Sequence, residues 1–101
     1  MFITAELGTH WKGDMDLLRY IVYNCKKAGF DAVKLQAFRP EDLTSRKYRY
    51  KASVTEHNVR EIDEICRDIG IEWYCMPTYP EAVDFLEPYV NRYKIRYKDR
   101  N

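Results

Sequence analysis

Isolated polar side chains interrupt strand-like segments of this sequence, and their types and spacing suit chemistry. Glu6 lies in Phe2–Leu7, Lys34 and Gln36 lie in Ala32–Ala37, and Lys94 lies in Arg92–Tyr97. Neighbouring residues of a strand point to opposite faces. Ile3, Ala5 and Leu7 therefore share one face, with Thr4 and Glu6 on the other. Val33, Leu35 and Ala37 oppose Lys34 and Gln36, and Tyr93, Ile95 and Tyr97 oppose Lys94 and Arg96. One face is apolar and suits a layer of helices. The other gathers a carboxylate, cations and an amide. Lysines beside an amide donor make a site for a small anion such as a carboxylate or phosphate. A carboxylate opposite them can position or deprotonate a sugar hydroxyl, or interact with a cationic intermediate. A strand lysine can instead form a Schiff base with a carbonyl substrate, which borohydride would trap. The plainer alternative is a structural Glu6–Lys34 ion pair between neighbouring strands, and spacing alone does not choose between it and a ligand site.

The elements that must position these residues are legible from punctuation and periodicity. The strand Phe2–Leu7 closes at Gly8, and a polar loop leads to a helix from Asp14. Leu18, Ile21, Val22 and Cys25 follow the i, i+3, i+4, i+7 spacing of a buried helix face. Asp14 or Asp16 suits the positive end of its dipole, Lys26 and Lys27 the negative end, and Gly29 the left-handed residue after the last turn. Ala32–Ala37 alternates as a second strand, followed by a long polar connection to about Ser53. Ser53 or Thr55 is placed to cap a second helix, with the stripe Val59, Ile62, Ile65, Cys66 and Ile69 ended by Gly70. Ile71–Met76 reads as a third strand. Thr78-Tyr79-Pro80-Glu81 then fits a capping box with a proline in the first turn of a short helix through Leu86, and Arg92–Tyr97 is a fourth strand.

The order βαβαβαβ implies parallel pairing with right-handed crossovers. Glu6, Lys34 and Gln36 lie late in their strands, the end at which parallel α/β folds bind ligands. A doubly wound sheet buries both faces under helices, where unpaired charges cost several kcal/mol per ion. The polar face thus favours part of a TIM (β/α)8 barrel, whose interior top is an active site. A complete barrel needs about 200 residues or more, so 101 residues suit a half barrel as a single domain.

Composition limits the other classes. Lys plus Arg number 17 and Asp plus Glu 16, a net charge of +1 that argues against general polyanion binding. The hydrophobic fraction of 46% excludes a disordered chain. No apolar run approaches the length of a membrane span, and the first residues lack the basic and apolar regions of a secretory signal. Cys25, Cys66 and Cys75 form no C-x-x-C pair, so reduced, buried thiols in a cytoplasmic protein are expected. His10 and His57 have no ligand neighbours at metal spacing. Trp11 can stack on a sugar or cover a loop core. Arg46-Lys47-Tyr48-Arg49-Tyr50-Lys51 suits a basic loop that attracts an anionic substrate better than a nucleic-acid surface.

Several segments together resemble the N-acetylneuraminate (sialic acid) synthase family, in the first half of its barrel domain. They are Phe2-Ile3-Thr4-Ala5-Glu6-Leu7-Gly8, the distinctive run Asp31 to Leu43, Gly70 to Pro77, Val83-Asp84-Phe85-Leu86 and Tyr93-Lys94-Ile95. The resemblance implies a transferase that condenses phosphoenolpyruvate with N-acetylmannosamine, its 6-phosphate or a related amino sugar, using a divalent metal, Mn or Mg. Glu6 then matches an active-site glutamate near the sugar. Lys34 and Gln36 match residues contacting phosphoenolpyruvate, and Lys94 matches a phosphate-binding lysine. The family's metal-binding histidines and antifreeze-like domain would lie beyond Asn101, leaving the 101-residue chain inactive alone. His10-Trp11-Lys12 stands where the family has Asn-His-Asn. Met76 stands where it has threonine, and Arg96-Tyr97 where it has small residues and a serine. A second possibility is a non-catalytic half barrel that assembles with a second copy or another subunit through its open edge strands.

Overall fold

The computed structural model describes residues 1–8, 10–39 and 52–89. Its elements, in chain order, are β1 (Thr4–Glu6), α1 (Met15–Lys27), β2 (Ala32–Ala37), α2 (Val59–Ile69), β3 (Glu72–Pro77) and α3 (Ala82–Leu86). The strands form a three-stranded sheet in the order β1-β2-β3, and both neighbouring pairs are parallel. The expected α/β class and parallel pairing hold. The segment Arg92–Tyr97, expected as a fourth strand, lies outside the described residues, as does the basic run Arg46–Lys51.

Local chemistry explains the helix boundaries. Asp14 Oδ1 accepts hydrogen bonds from the N–H groups of Asp16 at 2.9 Å and Leu17 at 3.1 Å, satisfying two donors that a first turn leaves without helical partners. Lys26 and Lys27 occupy the last turn, and Gly29 turns the chain at φ +97°. Gly70 ends α2 at φ +85°, a conformation that costs an L side chain about 1 kcal/mol or more.

Two cap expectations are corrected. Neither Ser53 nor Thr55 is the α2 cap residue, because the helix begins after Asn58. Thr55 Oγ1 instead accepts from the N–H groups of His57 and Asn58, closing the turn before the helix. Ser53 is drawn to β2, where its Oγ accepts from the Phe38 N–H at 2.8 Å. The Thr78–Glu81 capping box does not form either. Thr78 Oγ1 donates to the Ala37 carbonyl at 2.9 Å and Glu81 pairs with Arg39, so both side chains serve the ends of β2 rather than α3.

The apolar stripes pack as their spacing requires. Leu18 and Val22 of α1, and Val59, Ile62, Ile65 and Cys66 of α2, join Val33, Leu35, Trp73 and Cys75 of the sheet in one buried cluster. Trp73 points into this layer, its Nε1 donating to Asp63 Oδ1 at 3.0 Å, while Arg67 Nε donates to Asp63 Oδ2 at 2.7 Å. A buried carboxylate is tolerable there because both oxygens have partners. Burial of the helix-facing residues leaves Glu6, Lys34 and Gln36 on the other side of the sheet, as alternation predicts.

Candidate active site

Strand register brings the candidate residues together. Glu6 is the partner of Lys34, and Lys34 is the partner of Tyr74, so one row across the three strands carries an acid, an amine and a phenol on the same face. Lys34 Nζ donates to Glu6 Oε2 at 3.2 Å. The two side chains differ sharply in exposure: 10% for Lys34 and 65% for Glu6. Lys34 stands on the central strand, between neighbours on both sides, whereas Glu6 stands on the first strand at its carboxyl end. Lys34 is accordingly buried despite its charge.

Gln36 follows one pleat further along the same face, in register with Met76 and half-buried. The end of β2 is built by returning chain. The last bond from the β1 side is Leu7 N–H to the Lys34 carbonyl at 3.0 Å, and beyond it Val54 N–H donates to the Gln36 carbonyl at 2.9 Å. Residues 53 and 54 thus take the place beside β2 that β1 vacates when Gly8 turns it away at φ +57°. Lys94, the remaining candidate, lies outside the described residues.

The mouth has further chemistry that spacing did not reveal. Arg39, just past β2, pairs with Glu81 at 3.3 Å and lies 5.0 Å from the centroid of the Tyr79 ring. Burial raises the Tyr79 phenol above its ordinary pKa, with the Arg39 charge opposing. Tyr74 donates from its hydroxyl to Thr4 Oγ1 at 3.2 Å, reaching from the third strand to the first. Extending the alternation argument to β3 would have found Tyr74, since Glu72, Tyr74 and Met76 share a face.

Other candidates resolve differently. Trp11 is completely buried and its Nε1 donates to the Gly8 carbonyl at 3.2 Å, so it fills the first loop's core and offers no face to a sugar. His10 is exposed, and His57 lies 3.8 Å from the neighbouring Glu56. No group of three or more His, Cys, Asp or Glu side chains among the described residues is placed to hold a metal ion. The thiols are apolar in character: burial, aided by the Asp63 charge, pushes Cys66 up to about 12, and burial pushes Cys75 higher despite the nearby Lys34. No helix among the described residues is long and apolar enough to cross a membrane.

The chain is 34% identical over 90 residues to an uncharacterized protein of Methanocaldococcus jannaschii, covering 84% of this chain and 27% of that one. It is 29% identical over 105 residues to the N,N'-diacetyllegionaminic acid synthase of Legionella pneumophila, covering 84% of this chain and 29% of the synthase. It therefore spans less than a third of either relative's length. Its fold superposes with a TM-score of 0.73, at 20% identity, on the N-acetylneuraminic acid synthetase of Leptospira borgpetersenii crystallised with citrate, covering 87% of this chain and 33% of that one. The pattern of the NeuB family matches residues 21–100, most of the sequence, and the chain belongs to that family.

Proposed function

We propose that this chain is the first half of a (β/α)8 barrel, folded as one domain, in a synthase that condenses phosphoenolpyruvate with N-acetylmannosamine or a related amino sugar. In this reading Lys34 and Gln36 hold phosphoenolpyruvate, Lys94 holds its phosphate, and Glu6 orients or deprotonates the sugar hydroxyl. The observation that carries it is the Glu6–Lys34 contact of 3.2 Å at the carboxyl ends of neighbouring parallel strands. The buried ammonium is fixed in place, while the exposed carboxylate is free to turn toward a substrate. A divalent metal, Mn or Mg, belongs to this reading through the family resemblance alone, with its ligands beyond Asn101. This reading places the protein in the cytoplasm, with the phosphorylated substrate it requires and the three free thiols in support.

The test is phosphate release from phosphoenolpyruvate by the enzyme in its natural length. Lys34→Ala and Glu6→Gln should each lower kcat/KM by about a hundredfold or more, as removal of one preorganised polar group does. Wild-type rates in both variants would end the assignment. Assembly through the edge of β1 is a second reading, supported by Met1, Phe2 and Ile3, which are 108%, 46% and 43% exposed beside that strand. Sedimentation tests it: a chain that remains monomeric as concentration rises counts against association with a second copy.

A further inference from the structure

We propose that Tyr74 is a positioning residue for Lys34: anchored to Thr4, it forms the floor of the anion site and fixes the depth at which the ammonium meets its ligand. This inference rests on the phosphoenolpyruvate reading and adds a residue to it. Tyr74 is the β3 partner of Lys34, and Thr4 lies on β1 one pleat before Glu6, the β1 partner of Lys34. The hydroxyl-to-hydroxyl contact of 3.2 Å between Tyr74 and Thr4 therefore crosses the face of β2.

Strands in a sheet are about 4.8 Å apart, so Tyr74, the 3.2 Å bond and Thr4 together bridge two strand spacings. The bond runs from the level of Lys34 on β3 to the level of Ala32, the β2 residue in register with Thr4. Ala32 offers only a methyl group on this face and is fully buried. Tyr74 is 9% exposed and Lys34 is 8% exposed. The phenol is thus held at its tip, and the lysine stem beside it is left with the direction of Glu6 and the strand ends. A side chain confined in this way delivers its charge at a fixed place, which is what preorganised binding of an anion requires.

The experiment measures the Kd for phosphoenolpyruvate by calorimetry on the natural-length protein. It compares Lys34→Ala, Tyr74→Leu, Tyr74→Phe, Thr4→Val and the double variant Tyr74→Phe/Thr4→Val. Tyr74→Leu should weaken binding roughly tenfold, because ring and anchor are both lost. Tyr74→Phe and Thr4→Val should each weaken it about threefold, the scale of one hydrogen bond, and the double variant should be no worse than either, since both remove the same bond. Rescue by the ring-preserving Tyr74→Phe variant marks positioning, which a loss of stability alone would not reproduce in Kd. If Lys34→Ala abolishes binding while Tyr74→Leu stays within twofold of the parent, the positioning role is overturned and the phosphoenolpyruvate reading stands. If Lys34→Ala binds like the parent, the reading itself falls. Should Tyr74→Leu fail to fold, an unchanged Kd in both Tyr74→Phe and Thr4→Val overturns the proposal.

Discussion

Replacing each partner of the Glu6–Lys34 pair in turn should have opposite effects on stability, and the asymmetry follows from their exposure. The Lys34 side chain is 10% exposed and that of Glu6 is 65% exposed. A unit-charge pair 3.2 Å apart attracts by about 1.3 kcal/mol in bulk water. The hydrated Glu6 carboxylate keeps the pair near that limit, so the net gain is about 1 kcal/mol or less. Glu6→Gln should therefore lower unfolding free energy by about 1 kcal/mol, with water replacing part of the lost contact. Lys34→Met keeps an unbranched stem of similar length and removes a desolvated ammonium. Replacing a buried charge by a well-packed apolar group is often neutral or stabilising, so Lys34→Met should range from no change to a gain of about 1 kcal/mol. Urea denaturation followed by circular dichroism measures both through shifts in midpoint at constant slope. If Lys34→Met costs more than Glu6→Gln, the pair is a structural bond and the view of Lys34 as a charge held for ligand binding is refuted.

Three further outcomes test the framework around the site. Asp63→Ala should cost about 2–3 kcal/mol in the same assay, because it strands the buried Trp73 Nε1 and frees Arg67, whose bonds to Asp63 are 3.0 Å and 2.7 Å. Gly70→Ala should cost about 1–2 kcal/mol, since φ is +85° and open space around the position leaves backbone strain as the only penalty. The thiols set an alkaline limit. Burial holds Cys66 at about 12 in the folded protein against 9.0 as its ordinary value, so the unfolded chain releases that proton first. The thiol's contribution is complete below about pH 9 and is lost as pH climbs toward 12, and Cys66→Ala should flatten that decline in a pH series of urea midpoints.

The sequence carried the framework well where local patterns act alone. Ala32–Ala37 has the bounds that its alternation indicates, and Asp14 starts its helix and Gly70 ends its own for the reasons their side chains, or lack of one, suggest. Spacing also put Glu6 and Lys34 on one face, because parallel register converts alternation into shared faces. It failed where a polar side chain had competing partners. Thr78 is drawn to the Ala37 carbonyl and Ser53 to the Phe38 N–H, both more than ten residues away in sequence, and no local rule weighs such offers. Burial depth was also illegible: parity says which face Lys34 occupies, while its central place in the sheet decides how little water reaches it. The Tyr74–Thr4 bond joins residues 70 positions apart and depends on the reach of a phenol toward the first strand.

The central claim is that Lys34 is an anion-binding group aimed by its neighbours. A crystal structure of the natural-length protein with phosphoenolpyruvate tests it most directly. The account predicts a ligand oxygen within about 3.2 Å of Lys34 Nζ, with Gln36 and Lys94 on the same ligand and the Glu6 carboxylate turned toward the sugar side. Phosphoenolpyruvate bound elsewhere, with Lys34 still closed onto Glu6, would contradict it.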